Sequence, residues 1–414
     1  MTEAIEEKTY KSVLVSKEKQ SLQDFFISYS DTDPKKLNLV HPVDKEPRYY
    51  QVNAIRAACG YLENNFRRLL YIQPTGTGKT LLSKLTALDM DIRKVLGIDK
   101  KPRIRVVFIA NSNRLLRQAR REFSECHDVD LYTHSAYKDI PAEVIEAGFD
   151  MVFIDEAHHE AMFSIQQLLD HVKDCPVFGF TATPDRGDGL LLKFERYIFP
   201  ITKEEAIRRK FIATPKINSI IDTSGTNKLE VCIQLVKLYH QQMNNTIVYF
   251  KTNKECEGFY DYCMEAGHTA HLLKDDKEMD EVLERFSNGE IKFLINCKKL
   301  GEGTDIKNCT DVLLARQFNS KGEKEQYIGR SIRPDSPCCV WEFVNPIYNN
   351  ILAKDIFPVV SIHRLIFKQA GVWLERILEE NKDEDIYDYE YLDHCRNNNF
   401  EIDDEDEAFE NEVE

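Results

Sequence analysis

Twice along this chain, short apolar runs rich in β-branched residues alternate with longer stretches of helical character. The first set is LLYIQ (69–73), IRVVFIA (104–110), VDLYTH (129–134), DMVFID (150–155) and PVFGFTA (176–182). After a polar break, IDTSGTNK (221–228), a second set follows: NTIVYF (245–250), HTAHLL (268–273), IKFLINC (291–297), TDVLLAR (310–316) and CCVWEFV (338–344). Apolar runs separated by helices are what a parallel sheet covered on both faces requires. The restart implies two successive α/β domains, which 414 residues accommodate at roughly 150 residues each. The expected organisation is an N-terminal extension (1–46), a first α/β domain (47–220), a second (221–346), a helical segment (347–380) and an acidic tail (381–414).

The net charge of −15 is not spread over these parts. Residues 379–414 hold seventeen acidic and two basic side chains, so residues 1–378 balance at fifty-three of each. Such a block reads as a solvated, disordered tail, or as a nucleic-acid mimic or a docking tail for a basic protein partner. No apolar run approaches the length of a membrane span, and the charged N-terminus lacks the apolar stretch of a signal peptide. Eleven cysteines without a C-x-x-C pair fit reduced thiols, so a cytoplasmic protein is expected.

The strongest local signal is Q-P-T-G-T-G-K-T (73–80), placed between an expected strand and an expected helix. Thr75, Gly76, Thr77 and Gly78 would let backbone N–H groups approach phosphates, with the helix N-terminus adding a favourable dipole. Lys79 would meet the β/γ-phosphates and the Thr80 hydroxyl would ligate Mg²⁺. Gln73 stands where such a loop usually has its first glycine. The stretch I-D-E-A-H-H-E-A (154–161) packs carboxylates and histidines together. By itself it suits a zinc site, an acid/base dyad or something else, and the stretch alone does not decide. It lacks the H-E-x-x-H order of a zinc protease, and adjacent His158 and His159 diverge on a helix. It ends an expected strand, where ligands of open α/β sheets bind. Asp155 suits magnesium and Glu156 suits polarising an attacking water, while His159 and Glu160 read as partly exposed polar residues.

Q-P-T-G-T-G-K-T, D-E-A-H and T-A-T-P (181–184), in this order, resemble motifs I, II and III of superfamily 2 DEAH-box helicases. I-V-Y-F-K-T-N (247–253), L-G-E-G-T-D-I (300–306) and Q-Y-I-G-R-S-I-R-P (326–334) resemble motifs IV, V and VI, and R-Y-Y-Q (48–51) resembles the adenine-reading motif. The resemblance covers about residues 48–345. It implies two tandem RecA-like parallel-sheet domains with the ATP site in the cleft between them, and ATP with Mg²⁺ as cofactors. Arg48 and Gln51 would read adenine, Thr80 and Asp155 would hold the metal, and His158 would relay nucleotide state. Thr181 and Thr183 would couple hydrolysis to movement, and Gly303 and Asp305 would line the cleft. Gln326, Arg330 and Arg333, spaced by four and three on one helical face, would stabilise charge on the γ-phosphoryl.

Candidate nucleic-acid contacts are Asn111 and Arg114 in N-S-N-R-L-L-R-Q-A-R-R (111–121), and Thr133 and His134 in T-H-S-A-Y (133–137). Arg117, Arg120 and Arg121 are equally well a solvated helix face. T-A-T-P, G-R-S-I-R-P, A-R-Q-F-N-S (315–320) and E-A-I-R-R-K-F-I-A-T-P (205–215) are similar to the branch of restriction-enzyme translocases and phage or XPB-like DNA helicases. DNA is therefore the expected partner, with RNA the runner-up and a non-unwinding ATP-driven clamp the alternative of a different class.

Overall fold

The computed structural model describes residues 37–157, 163–172, 174–182, 193–221, 228–275, 277–297, 300, 306–318, 320–329, 338–344, 351–357, 360, 362–369 and 372–377. The chain divides into two units, Met1–Ala206 and Ile207–Glu414. Among the described residues no helix is long and apolar enough to cross a membrane. The acidic tail lies outside the described residues, as does the extension up to residue 36.

The first unit holds a six-stranded, all-parallel sheet of β1 (Arg68–Ile72), β2 (Ile104–Ala110), β3 (Val129–Ser135), β4 (Met151–Asp155), β5 (Val177–Thr181) and β6 (Arg196–Ile198). Their order is β3-β2-β4-β5-β1-β6. Successive side chains of a strand point to opposite faces, and both faces are buried. Leu69, Tyr71, Phe108, Phe153 and Phe178 pack on one side with Leu82, Leu85 and Leu88 of α2 (Lys79–Leu88). Leu70, Ile72, Val107, Val152 and Ile154 pack on the other with Ile165, Leu168 and Leu169. This double burial explains why the runs read as continuously apolar.

Gly179 sits inside β5, paired with Leu70 of β1 and Ile154 of β4. A Cβ there would fall on the Phe194 ring and within 2.7 Å of Leu70 Cδ1. Overpacking of a filled core costs about 1–3 kcal/mol, so Gly179→Ala is expected to lower the urea midpoint of the first unit. Trimming the obstacle in Gly179→Ala/Phe194→Leu should recover part of that loss; a single variant as stable as wild type would contradict the packing.

The second unit holds an eight-stranded sheet, order β14-β13-β7-β12-β11-β8-β10-β9. Its strands are β7 (Lys216–Ile221), β8 (Thr246–Phe250), β9 (Ala270–Leu272), β10 (Phe293–Asn296), β11 (Asp311–Ala315), β12 (Cys339–Val344), β13 (Ile362–Gln369) and β14 (Val372–Ile377). All neighbours are parallel except β13 and β14.

Two expectations are corrected. The second unit starts at Ile207, not at residue 221, because β7 pairs along its length with β12. The polar break therefore follows the first strand of the second sheet. Among its described residues the segment 347–380, expected to be helical, contains one short helix, Ala353–Ile356, and the antiparallel pair β13–β14. Its β-branched and aromatic residues and its A-G dipeptide at 370–371 suit a hairpin. Tyr239 anchors the pair by donating to Glu375 Oε2 at 2.8 Å, while the Arg364 guanidinium lies 5.0 Å from the Tyr239 ring centre. Burial, followed by the bond to Glu375, pushes the Tyr239 phenol up to about 12.

Candidate functional site

β1 ends at Ile72 and the chain turns through the phosphate loop into α2. Gly76 and Gly78 have φ of +85° and +91°, a region that side-chain-bearing residues adopt only at a cost. The loop is braced from within: Thr77 Oγ1 donates to the Pro74 carbonyl at 2.6 Å. A second brace comes from the start of α1 (Tyr49–Glu63). Gln51 Oε1 accepts from the Arg48 N–H at 2.9 Å, and its Nε2 donates to the Gly78 carbonyl at 3.3 Å. Gln51 thus stands against the phosphate loop, with Arg48 bonded behind it.

Tyr50, which sequence reasoning missed, lies between them. Its hydroxyl donates to the Thr77 carbonyl at 2.5 Å and accepts from Arg48 at 3.2 Å. Burial raises the phenol above its ordinary value and Arg48 draws it part of the way back. A buried tyrosine usually seeks such a partner, but the acceptor is 27 residues away. Removing one net hydrogen bond costs about 1 kcal/mol, or about fivefold in affinity if the loop's phosphate-binding shape depends on it. Tyr50→Phe is therefore expected to weaken fluorescent mant-ADP binding by about that factor, and unchanged binding would remove Tyr50 from the site.

β4 delivers the acidic partner. Asp155 is its last residue, and the Glu156 N–H donates to Asp155 Oδ1 at 3.0 Å. Glu156 has φ +49°, a left-handed conformation costing a non-glycine residue about 1–3 kcal/mol. This twist directs its carboxylate to Lys79: Nζ and Oε1 are 3.1 Å apart, with side chains only 13% and 11% exposed. At that burial, solvent screens the pair far less than at the surface. Lys79 of motif I and Glu156 of motif II, 77 positions apart in sequence, thus share one point. The Thr80 hydroxyl and Asp155 carboxylate are hard oxygen donors of the kind Mg²⁺ takes. Beside the left-handed Gly76 and Gly78, these are residue types that suit a magnesium nucleotide.

Thr181 ends β5, and its carbonyl accepts from the Gln73 N–H at 3.0 Å. The residue before the phosphate loop is thereby tied to motif III. Gln73 is fully buried, and neither atom of its carboxamide meets a hydrogen-bond partner among the described residues.

The nucleic-acid candidates collect at the carboxyl ends of β2 and β3, where Ala110 pairs with Ser135. Asn111 follows β2, and Arg114 lies in the first turn of α4 (Asn113–Glu122), capped by Ser112. Leu115, Leu116 and Ala119 seat this helix on the sheet, leaving Arg117, Arg120 and Arg121 exposed. Arg120 Nε donates to Thr133 Oγ1 at 2.8 Å, and His134 Nε2 lies 2.8 Å from the Lys138 carbonyl. On the same face Gln118, also missed from sequence, donates from Nε2 to Thr80 Oγ1 at 3.2 Å.

In the second unit Gln326 lies on α11 (Lys321–Ile328). Buried Lys324 holds this helix through bonds to Glu342 Oε2 at 2.5 Å and the Ile351 carbonyl at 2.7 Å. Ser219 and the Ala353 N–H also donate to Glu342. His158, Thr183, Gly303, Asp305, Arg330 and Arg333 lie outside the described residues.

Two family models match in chain order. The model "Type III restriction enzyme, res subunit" covers residues 44–138 and 130–186, and "Helicase conserved C-terminal domain" covers 227–335. The Saccharomyces cerevisiae protein described as "Putative ATP-dependent helicase IRC3" is 24% identical over 340 residues, 69% of this chain and 49% of that protein. An Escherichia coli type I restriction enzyme EcoAI endonuclease subunit is 23% identical over 367 residues, 70% of this chain and 44% of that protein. The chain thus spans about half the length of these curated relatives. A fragment of an HsdR subunit of a type I restriction enzyme from Vibrio vulnificus has the same fold, with TM-score 0.62 and 20% identity over 83% of this chain and 73% of that one. With the described parts of motifs I to III in one parallel-sheet unit, a helicase C-terminal domain after them and this fold, the chain belongs to the superfamily 2 helicases, a family of ATP-hydrolysing enzymes.

Proposed function

We propose that this chain is an ATP-dependent DNA helicase or translocase that couples hydrolysis of Mg²⁺-ATP to movement on duplex, forked or branched DNA, in replication, recombination or repair. The observation that carries the reading is the 3.1 Å contact of Lys79 and Glu156 at the joint of the phosphate loop and β4. Lys79 neutralises phosphate oxygens, and the N–H groups around Gly76 and Gly78 cradle them. Thr80 and Asp155 would hold Mg²⁺, which would supply charge neutralisation at the phosphates. Glu156 orients and polarises the water that attacks the γ-phosphorus; the bond to the ADP oxygen breaks, releasing ADP and phosphate. Arg48 and Gln51 read the adenine edge, and Thr181 passes the change at the phosphates to β5. From their sequence motif, Gln326, Arg330 and Arg333 stabilise the charge that develops during transfer.

Restriction-enzyme relatives and the restriction-type family model favour DNA as the polymer. Asn111, Arg114, Thr133 and His134 are its proposed contacts in the first unit, at strand ends where an open α/β sheet binds ligands. The test is phosphate release by the full chain with single-stranded, duplex and forked DNA and with RNA, all at one low salt concentration. Stimulation by DNA is expected; stimulation by RNA alone would overturn the assignment.

A further inference from the structure

Gln118 joins α4 to the start of α2, just after the phosphate loop. Leu115, Leu116 and Ala119 pack its helix, α4, against the sheet. Arg114 and Gln118 are four residues apart and share a helical face. Arg114 sits beside the proposed polymer contacts. Gln118 Nε2 bonds to the hydroxyl of Thr80, and Arg120 ties the far end of the helix to Thr133.

The polarity of the Gln118 bond matters. A threonine hydroxyl has one proton to donate and two lone pairs to accept with. An amide nitrogen can only donate, so Gln118 occupies one lone pair of Thr80 Oγ1 and leaves the other for a metal. We infer that Gln118 is the positioning residue that couples nucleic-acid contact at the start of α4 to the metal-binding hydroxyl of Thr80. This inference rests on the proposed function, in which Thr80 holds Mg²⁺ and DNA meets Arg114. A shift of α4 under a bound strand moves the donor and thereby re-aims the hydroxyl.

The test uses the full chain and two readouts besides steady-state turnover. One is the Mg²⁺ concentration that half-saturates mant-ADP binding; the other is the affinity for a fluorescent single-stranded DNA. Loss of a hydrogen-bond partner behind a metal ligand weakens metal affinity about 10- to 100-fold, so Gln118→Met is expected to raise the Mg²⁺ midpoint about tenfold. It should leave mant-ADP binding in EDTA and DNA affinity unchanged, and remove the stimulation of hydrolysis by DNA. Because Gln118 is exposed, Gln118→Ala offers a second truncation with the same expectation if the Met variant fails to fold. A wild-type midpoint with wild-type stimulation in either truncation overturns the inference. So does loss of stimulation accompanied by equal loss of DNA affinity, which would make Gln118 a polymer contact. If no nucleic acid stimulates the wild type, the functional reading fails, while the Mg²⁺ midpoint still decides whether Gln118 positions Thr80.

Discussion

Lys79→Ala is expected to hydrolyse ATP at least about a hundredfold more slowly than wild type, the loss typical of removing one group that stabilises transition-state charge. It should also bind nucleotide weakly, because the ammonium is the cation nearest the phosphates in the proposed site. A third effect comes from the partner left behind. Glu156 is 11% exposed and lies in a left-handed turn that aims it at Lys79. Without the cation its carboxylate stands nearly buried with its ion-pair partner gone. Breaking a buried pair costs about 3–5 kcal/mol, and the residual exposure of both side chains reduces this to about 2 kcal/mol. Phosphate release, mant-ADP titration and a urea curve on one preparation check the three effects together. Preserved turnover would contradict the site.

Glu156→Gln should separate binding from chemistry. The amide keeps the length of the side chain and a hydrogen-bonding oxygen for Lys79, yet it cannot polarise water as a carboxylate does. Hydrolysis is expected to fall at least about a hundredfold, while mant-ADP affinity stays within about threefold of wild type or tightens, because a competing anion beside the phosphates is gone. Equal loss of binding in this variant and in Lys79→Ala would mean that the pair acts only as a structural tie.

The core of this site was legible because its grammar is local. Gly76, Gly78, Lys79 and Thr80 are contiguous, and Asp155 and Glu156 end a strand whose apolar run announces it. Their meeting at 3.1 Å follows from both segments lying at carboxyl ends of one parallel sheet. Tyr50 and Gln118 were not legible for the opposite reason. The bond that gives each its role runs to a residue 27 or 38 positions away, and nothing in R-Y-Y-Q or in an arginine-rich amphipathic helix marks which polar tip is spoken for.

The two fold-level errors have the same kind of cause. L-I-F and V-W-L (365–367, 372–374) satisfy helical and strand templates alike over so short a span, and only pairing of β13 with β7 settles them. The break at 221–228 is polar, as an interdomain linker would be, but it follows a strand that the second sheet claims. Sheet membership is a long-range property, and a composition shift does not carry it.

The central claim is that the Lys79–Glu156 site drives movement on DNA. Its most direct test is displacement of a triplex-forming oligonucleotide from duplex DNA, followed with ATP for wild type and Lys79→Ala. Displacement by wild type that needs ATP and is absent in Lys79→Ala is the predicted result. Robust DNA-stimulated hydrolysis without displacement, or displacement that survives in Lys79→Ala, would contradict it.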